Sequence, residues 1–208
     1  MGPSEPLAAP AAAPAPDCER EWREYALTWL RQQLGDRAPT TMGIPTYFDA
    51  SALEGDGPIA IFPFSTSGDE PAEHWVVVGR TEPNYYPRWG LTADEAFRVH
   101  LGTRFMLVVG VSQADEAERQ TYDPRADLDR ILAQIYPGEP SLKASLAAMF
   151  RVGAKRHTVC RCRIGGEDVF VMAGDCPPGF YRRTELPPHV VYRLHLGSLL
   201  VQEAKDKD

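Results

Sequence analysis

The stretch 157-HTVCRCRIGGEDVFVMAGDC-176 carries three of the chain's four cysteines, and its reading decides the C-terminal half of the fold. Gly165-Gly166 is a two-residue hairpin signal, because a tight turn between right-twisted strands wants positive φ at both central positions. With those glycines as the loop, Ile164 faces Glu167, Cys162 faces Val169 and Cys160 faces Val171. Side chains alternate across a strand. One face therefore holds Cys160, Cys162, Ile164, Val169, Val171 and Ala173, and the other holds Arg161, Arg163, Asp168, Phe170 and Met172. The two cysteines lie on the apolar face, as small buried hydrophobes.

The same register removes the metal reading. Cys176 falls opposite Lys155 and so lies roughly 17 Å along the strands from Cys160, too far to share one ion. No C-x-x-C pair sits on a tight turn. C-x-C on one strand separates its sulfurs' carbons by about 6 to 7 Å with parallel Cβ vectors, unsuited to a disulfide. No metal and no cofactor is expected. Cys176, ahead of Pro177-Pro178-Gly179, is the candidate for an exposed thiol, with Arg182 and Arg183 as the cations that would activate it.

Working outward, the last strand is expected at about 189 to 200, where Arg193 and His195 alternate with Tyr192, Leu194 and Leu196. A helix over about 141 to 150 would bury Leu142, Leu146, Met149 and Phe150. Before it, Asp123 caps a helix that Pro124 enters at the favoured first position, with Leu128, Ile131, Leu132, Ile135 and Tyr136 on one face and Gly138 closing it. The run 104-RFMLVVGVS-112 reads as a buried strand. Thr92 and Glu95 form a capping box that opens a helix to about Leu101, with Gly102 as its stop.

Toward the N-terminus, 58-PIAIFPF-64 and 74-HWVVVG-79 read as a strand pair joined by the acidic loop 65-STSGDEPAE-73. Pro63 suggests an edge or a strand end, since it has no N–H for a ladder. Residues 36 to 57 read as loop. A helix over 18 to 34 places Trp22, Tyr25, Ala26, Trp29 and Leu30 on one stripe, stopped by Gly35. Residues 1–16 read as a disordered Ala/Pro-rich tail, and 17–208 as a single α+β domain. Its expected form is a mostly antiparallel sheet of about five to six strands with three to four packed helices.

The 22 Lys+Arg against 29 Asp+Glu give a net charge of −7, which argues against general attraction to nucleic acid or anionic membranes. No apolar run approaches the length of about 20 residues that spans a bilayer, and the proline-broken N-terminus lacks the basic start of a secretory signal. A soluble, acidic, cytoplasmic protein with reduced thiols is the expectation. Residues 151 to 195 depart from the average, with eight Lys+Arg and four acids.

Chemistry-bearing residues are scattered. Asp69, Glu70, Glu73 and His74 lie on a loop without the helical spacing that converges ligands. Ser65-Thr66-Ser67-Gly68 lacks a nucleophile elbow and reads as turn chemistry. His100 falls on the apolar side of its helix as a core histidine. There is no phosphate-binding glycine loop. The segment 83-PNYYPRW-89 is the more pointed feature, because Tyr, Trp and Arg dominate binding hot spots and prolines stiffen the loop that presents them.

These features favour a non-catalytic binding protein of adaptor type, whose partner is another protein or a second copy of itself. The contact residues expected are Tyr85, Tyr86, Arg88 and Trp89 of the aromatic segment, with Arg161, Arg163 and Arg193 forming a basic sheet face. One alternative is a small hydrolase or transferase using His74 with Asp69 or Glu73, or a Cys176 nucleophile. A second is an anion- or RNA-binding module, disfavoured by the overall acidity.

Overall fold

The hairpin around Gly165-Gly166 is present in the expected register. In the computed structural model, which describes residues 16–50, 57–80, 82–135 and 144–206, both glycines have positive φ, 57° and 86°. The flanking strands pair Ile164 with Glu167, Cys162 with Val169 and Cys160 with Val171. Among the described residues the chain has five α-helices and two antiparallel sheets, of four and five strands, an α+β architecture as the sequence implied. The chain divides into two compact units. One comprises residues up to His100 together with those from Leu199 onward; the other comprises Leu101–Ser198.

In the first unit, β1 (Thr46–Asp49), β2 (Pro58–Ser65), β3 (Glu73–Val78) and β4 (Asn84–Pro87) form the four-stranded sheet in that order. Helix α1 (Pro16–Leu34) lays Ala26 and Leu30 into a core with Tyr47, Phe62, Phe64 and Val76, flanked by Trp22 and Trp29. Tyr25, on the same expected stripe, is instead exposed. Pro63 sits in a central strand, yet β1 stops at the Thr46–Ile61 pair. Past that point the side of β2 facing β1 is locally open, and the Pro63 carbonyl takes a bond from Gly43 N–H at 2.8 Å. The missing proline N–H therefore interrupts no ladder. On the opposite face, Phe48 stacks on Phe97 at 4.6 Å.

Phe97 belongs to α2 (Ala93–Val109), which opens with the expected capping box. Glu95 N–H donates to Thr92 Oγ1, and Thr92 N–H donates to a Glu95 carboxylate oxygen. The helix runs through Gly102, whereas a stop there and a strand over 104–112 were expected. It ends at Gly110, whose φ is 68°. Val111 N–H closes back on the Met106 carbonyl at 2.9 Å, the bond of a Schellman cap.

The second unit holds the five-stranded sheet, in the order β5 (Ser112–Gln113), β6 (Ser145–Val152), β7 (Lys155–Ile164), β8 (Glu167–Gly174) and β9 (Gly179–Tyr181). Strand β6 replaces the helix expected over 141–150; Leu142 and the expected helix end at Tyr136 and Gly138 lie outside the described residues. Two short helices cross on the way, α3 (Glu116–Thr121), capped by Asp115, and α4 (Arg125–Ile135), where Asp123 accepts from Arg125 N–H. The cysteine face packs on α4 through Leu128 and Ile131. The opposite face is buried as well, at Val159, Phe170 and Met172. It is covered by α5 (Pro188–Lys205), whose Tyr192 stacks on Phe150 at 4.0 Å. The strand expected at 189–200 is this helix.

Candidate functional site

The aromatic segment 83–89 is a strand, not a free loop, for most of its length. Strand β4 pairs Tyr86 with Trp75 and Tyr85 with Val76. Tyr86 is buried, its hydroxyl 3.1 Å from His100 Nδ1. Tyr85 is half-buried among Trp29, Phe64 and His74. Arg88 pairs with Glu73 at 2.9 Å and lies over the Trp75 ring. Trp89 has a φ of 39° and Gly90 of 67°, while Leu91 N–H bonds the Arg88 carbonyl. That is a primed turn carrying tryptophan where glycine or asparagine is usual. Beside it, a polar groove of about 390 Å³ runs between Thr40–Gly43 and Ser65, Ser67, Glu73 and Arg88.

The three arginines expected to share a sheet face do not share one, because Arg193 is on a helix. Arg161 is exposed, lies over the Phe170 ring at 5.1 Å and donates to the Thr184 carbonyl. Arg163, also exposed, donates to the Gly166 carbonyl at the hairpin turn. Arg193 lines a second groove, about 440 Å³, with Met106, Gln113, Ala147, Phe150 and His189. Its Nε is buried without a hydrogen-bond partner among the described residues. His189 is exposed at the rim. Partial desolvation in the groove wall, and then the neighbouring Arg193 charge, hold its pKa below the ordinary value.

Next to Met106, the last turn of α2 presents Leu107, Val108 and Val109 to solvent. Sequence reasoning missed these residues and His189. The available signal was the run 105-FMLVVGV-111, too apolar for the outer turn of an ordinary surface helix.

The remaining reactive groups are tied into structure. Burial pushes the Cys160 thiol up to about 11 and Cys162 up to about 12. Cys176, expected to be an exposed thiol, is half-buried; its Sγ–H donates to the Ala173 carbonyl, and burial raises it to about 12. Arg182 pairs with Glu167 and Arg183 with Glu185, and no activated thiolate results. His74 stacks on Phe64, with Nδ1 donating to the Ala72 carbonyl. It belongs to one unit and Cys176 to the other. The 65–68 turn is structural: Thr66 is buried and closes the loop against Ala72, and Ser67 donates to the Ala38 carbonyl.

Two buried histidine–tyrosine pairs occupy the second unit, His157 with Tyr192 at 2.9 Å and His195 with Tyr181 at 3.0 Å. Neither lines either groove. Among the described residues, no group of three or more His, Cys, Asp or Glu could jointly hold a metal ion, and no helix is long and apolar enough to cross a membrane. No protein-family model, no curated protein and no solved structure matches the chain.

Proposed function

We propose that this chain is a non-catalytic binding protein that docks another polypeptide on the end of α2 and the adjoining groove. The observation that carries this reading is the exposure of three consecutive aliphatic side chains, Leu107, Val108 and Val109, at 74%, 82% and 38%. Scattered exposed aliphatics are ordinary, but a contiguous patch with a polar rim is where proteins meet. The groove lined by Met106, His189 and Arg193 supplies the polar neighbour in this proposal, since Met106 directly precedes the three aliphatic residues on α2. The aromatic segment contributes less than its composition suggested, because Tyr86 is turned into the core and Arg88 is engaged by Glu73. Its setting in this proposal is the cytoplasm, where four free thiols persist reduced.

The test is the paired substitution Leu107→Lys and Val108→Lys. Both side chains are solvent-facing, so stability should change by no more than about 0.5 kcal/mol each. Affinity capture from the native extract should lose the partner that the parent protein retains, with the thermal transition unchanged. Capture that persists undiminished in the folded double variant removes this reading.

A further inference from the structure

We infer that the groove of the second unit receives an extended acidic segment of a partner protein, which adds to the sheet along the open edge of β6. This inference rests on the docking proposal and supplies its geometry and chemistry.

The edge is the first observation. Strand β5 pairs only with Arg151 and Phe150 of β6. Ala114 N–H extends that row by one bond, to the Met149 carbonyl. Beyond it, among the described residues, no strand lies beside Ser145–Ala148 on that side. The row begun by β5 therefore stops part-way along β6. An uncovered edge is a template for an incoming strand. The register of β6 against β7 shifts between Leu146 and Ala148. The extra residue, Ala147, lines the groove, as do Ala148 and Gln113. An entering backbone would meet small side chains there.

Charge is the second observation. Arg193 puts a cation in the groove wall, His189 one helical turn before it on α5 is held toward its neutral form, and no Asp or Glu lines the groove. Arg193 lines the groove, and its buried Nε has no partner among the described residues to neutralise the guanidinium. A carboxylate on the occupant would meet that cation, and a charge-assisted bond in a partly desolvated wall is worth more than a neutral one. The aliphatic turn 107–109 lies next along the chain from Met106, so the occupant needs apolar side chains as well as acidic ones. A second copy fits worse. A symmetric pairing would bring the same edge of each copy together, adding a second Arg193 cation and no carboxylate from the groove lining.

The probe is a short fluorescein-labelled peptide alternating glutamate and valine, titrated with the wild-type protein and followed by anisotropy. Binding is expected, weakening in about 0.5 M salt as surface charges are screened. A lysine–valine peptide of the same pattern should bind at least about tenfold more weakly. So should one of two N-methylated versions, the one whose methyl groups face β6. The Arg193→Gln protein should lose about tenfold against the parent peptide. Absence of binding by the parent peptide overturns the inference. So do equal binding of the lysine peptide, equal binding of both N-methylated versions, and a dimer in sedimentation that the peptide does not dissolve. If partner capture is lost on the Leu107→Lys, Val108→Lys protein while the N-methylated peptides bind as the parent does, docking stands and strand addition falls. If capture survives the lysines, the docking proposal falls too.

Discussion

His195 shows how closely single side chains are specified in the second unit. It is 2% exposed, with Nδ1 against the Tyr181 hydroxyl and Nε2 without a hydrogen-bond partner among the described residues. Burial, the largest influence, brings its pKa from 6.5 to about 4; the nearby His157 acts in the same direction and the Pro177 backbone against it. A folded-state pKa below the unfolded one means the unfolded chain takes the proton first as pH falls. The stability held by neutral His195 is therefore complete above about pH 6.5 and is lost progressively down to about pH 4. Its size is on the order of 3 kcal/mol. Denaturation midpoints measured across that window should fall steeply for the parent and more shallowly for His195→Asn. Equal slopes would mean the ring is not buried as described. Gly179 belongs to the same arrangement, because a Cβ there would stand 2.7 Å from His195 Nδ1. No periodicity in the sequence announced either feature. The alternation of Arg193 and His195 with Tyr192, Leu194 and Leu196 mimics a strand, and nothing in the sequence marks Gly179 as a contact.

At the scale of elements, legibility followed local signals. The hairpin of β7 and β8 was readable because the Gly-Gly turn fixed its register and alternation did the rest. Helices α1 and α4 were readable because a cap and an apolar stripe coincided. The failures have physical causes. Helix α5 buries Val190, Val191, Tyr192, Leu194, His195 and Leu196, so it is apolar nearly all round, and short alternations within it mimic a strand. Strand β6 carries a bulge near Ala147, which breaks the period of two and left a helical spacing of Leu146, Met149 and Phe150. Strands β1, β4 and β9 are three or four residues long and lie in segments that composition alone marks as loop. Gly102 has the sequence character of a helix stop, but it is a contact. A Cβ there would lie 2.0 Å from the Arg193 carbonyl oxygen of α5, and 3.0 Å from its Cα. Glycine to alanine inside a helix ordinarily stabilises by about 1 kcal/mol. Here the sign should invert, since backbone rather than a flexible side-chain end stands in the way. Gly102→Ala should cost about 1–3 kcal/mol in chemical denaturation. A gain would show that α2 and α5 do not cross there.

At the scale of the molecule, the choice between a binder and a cysteine enzyme reduces to how four thiols behave in the native state. All four are free, and they differ in access: Cys18 is exposed on α1, Cys176 is half-buried, and Cys160 and Cys162 are buried. A thiol reacts through its thiolate, and burial holds the latter three well above the usual thiol range. A nucleophile would need the reverse, a depressed pKa beside a cation or a helix N-terminus. Titration of the native protein with a chromogenic disulfide reagent should therefore give one fast equivalent, removed by Cys18→Ser. The other three should react only at the rate of opening, and together once denaturant is added. The slow phases also report the hairpin from which the fold was read, because Cys160 and Cys162 become reachable only when the sheet parts from α4. A second fast equivalent that disappears in Cys176→Ser would reverse the assignment. It would place a reactive thiolate just ahead of Pro177-Pro178 and β9, and an enzyme reading would then replace the docking one.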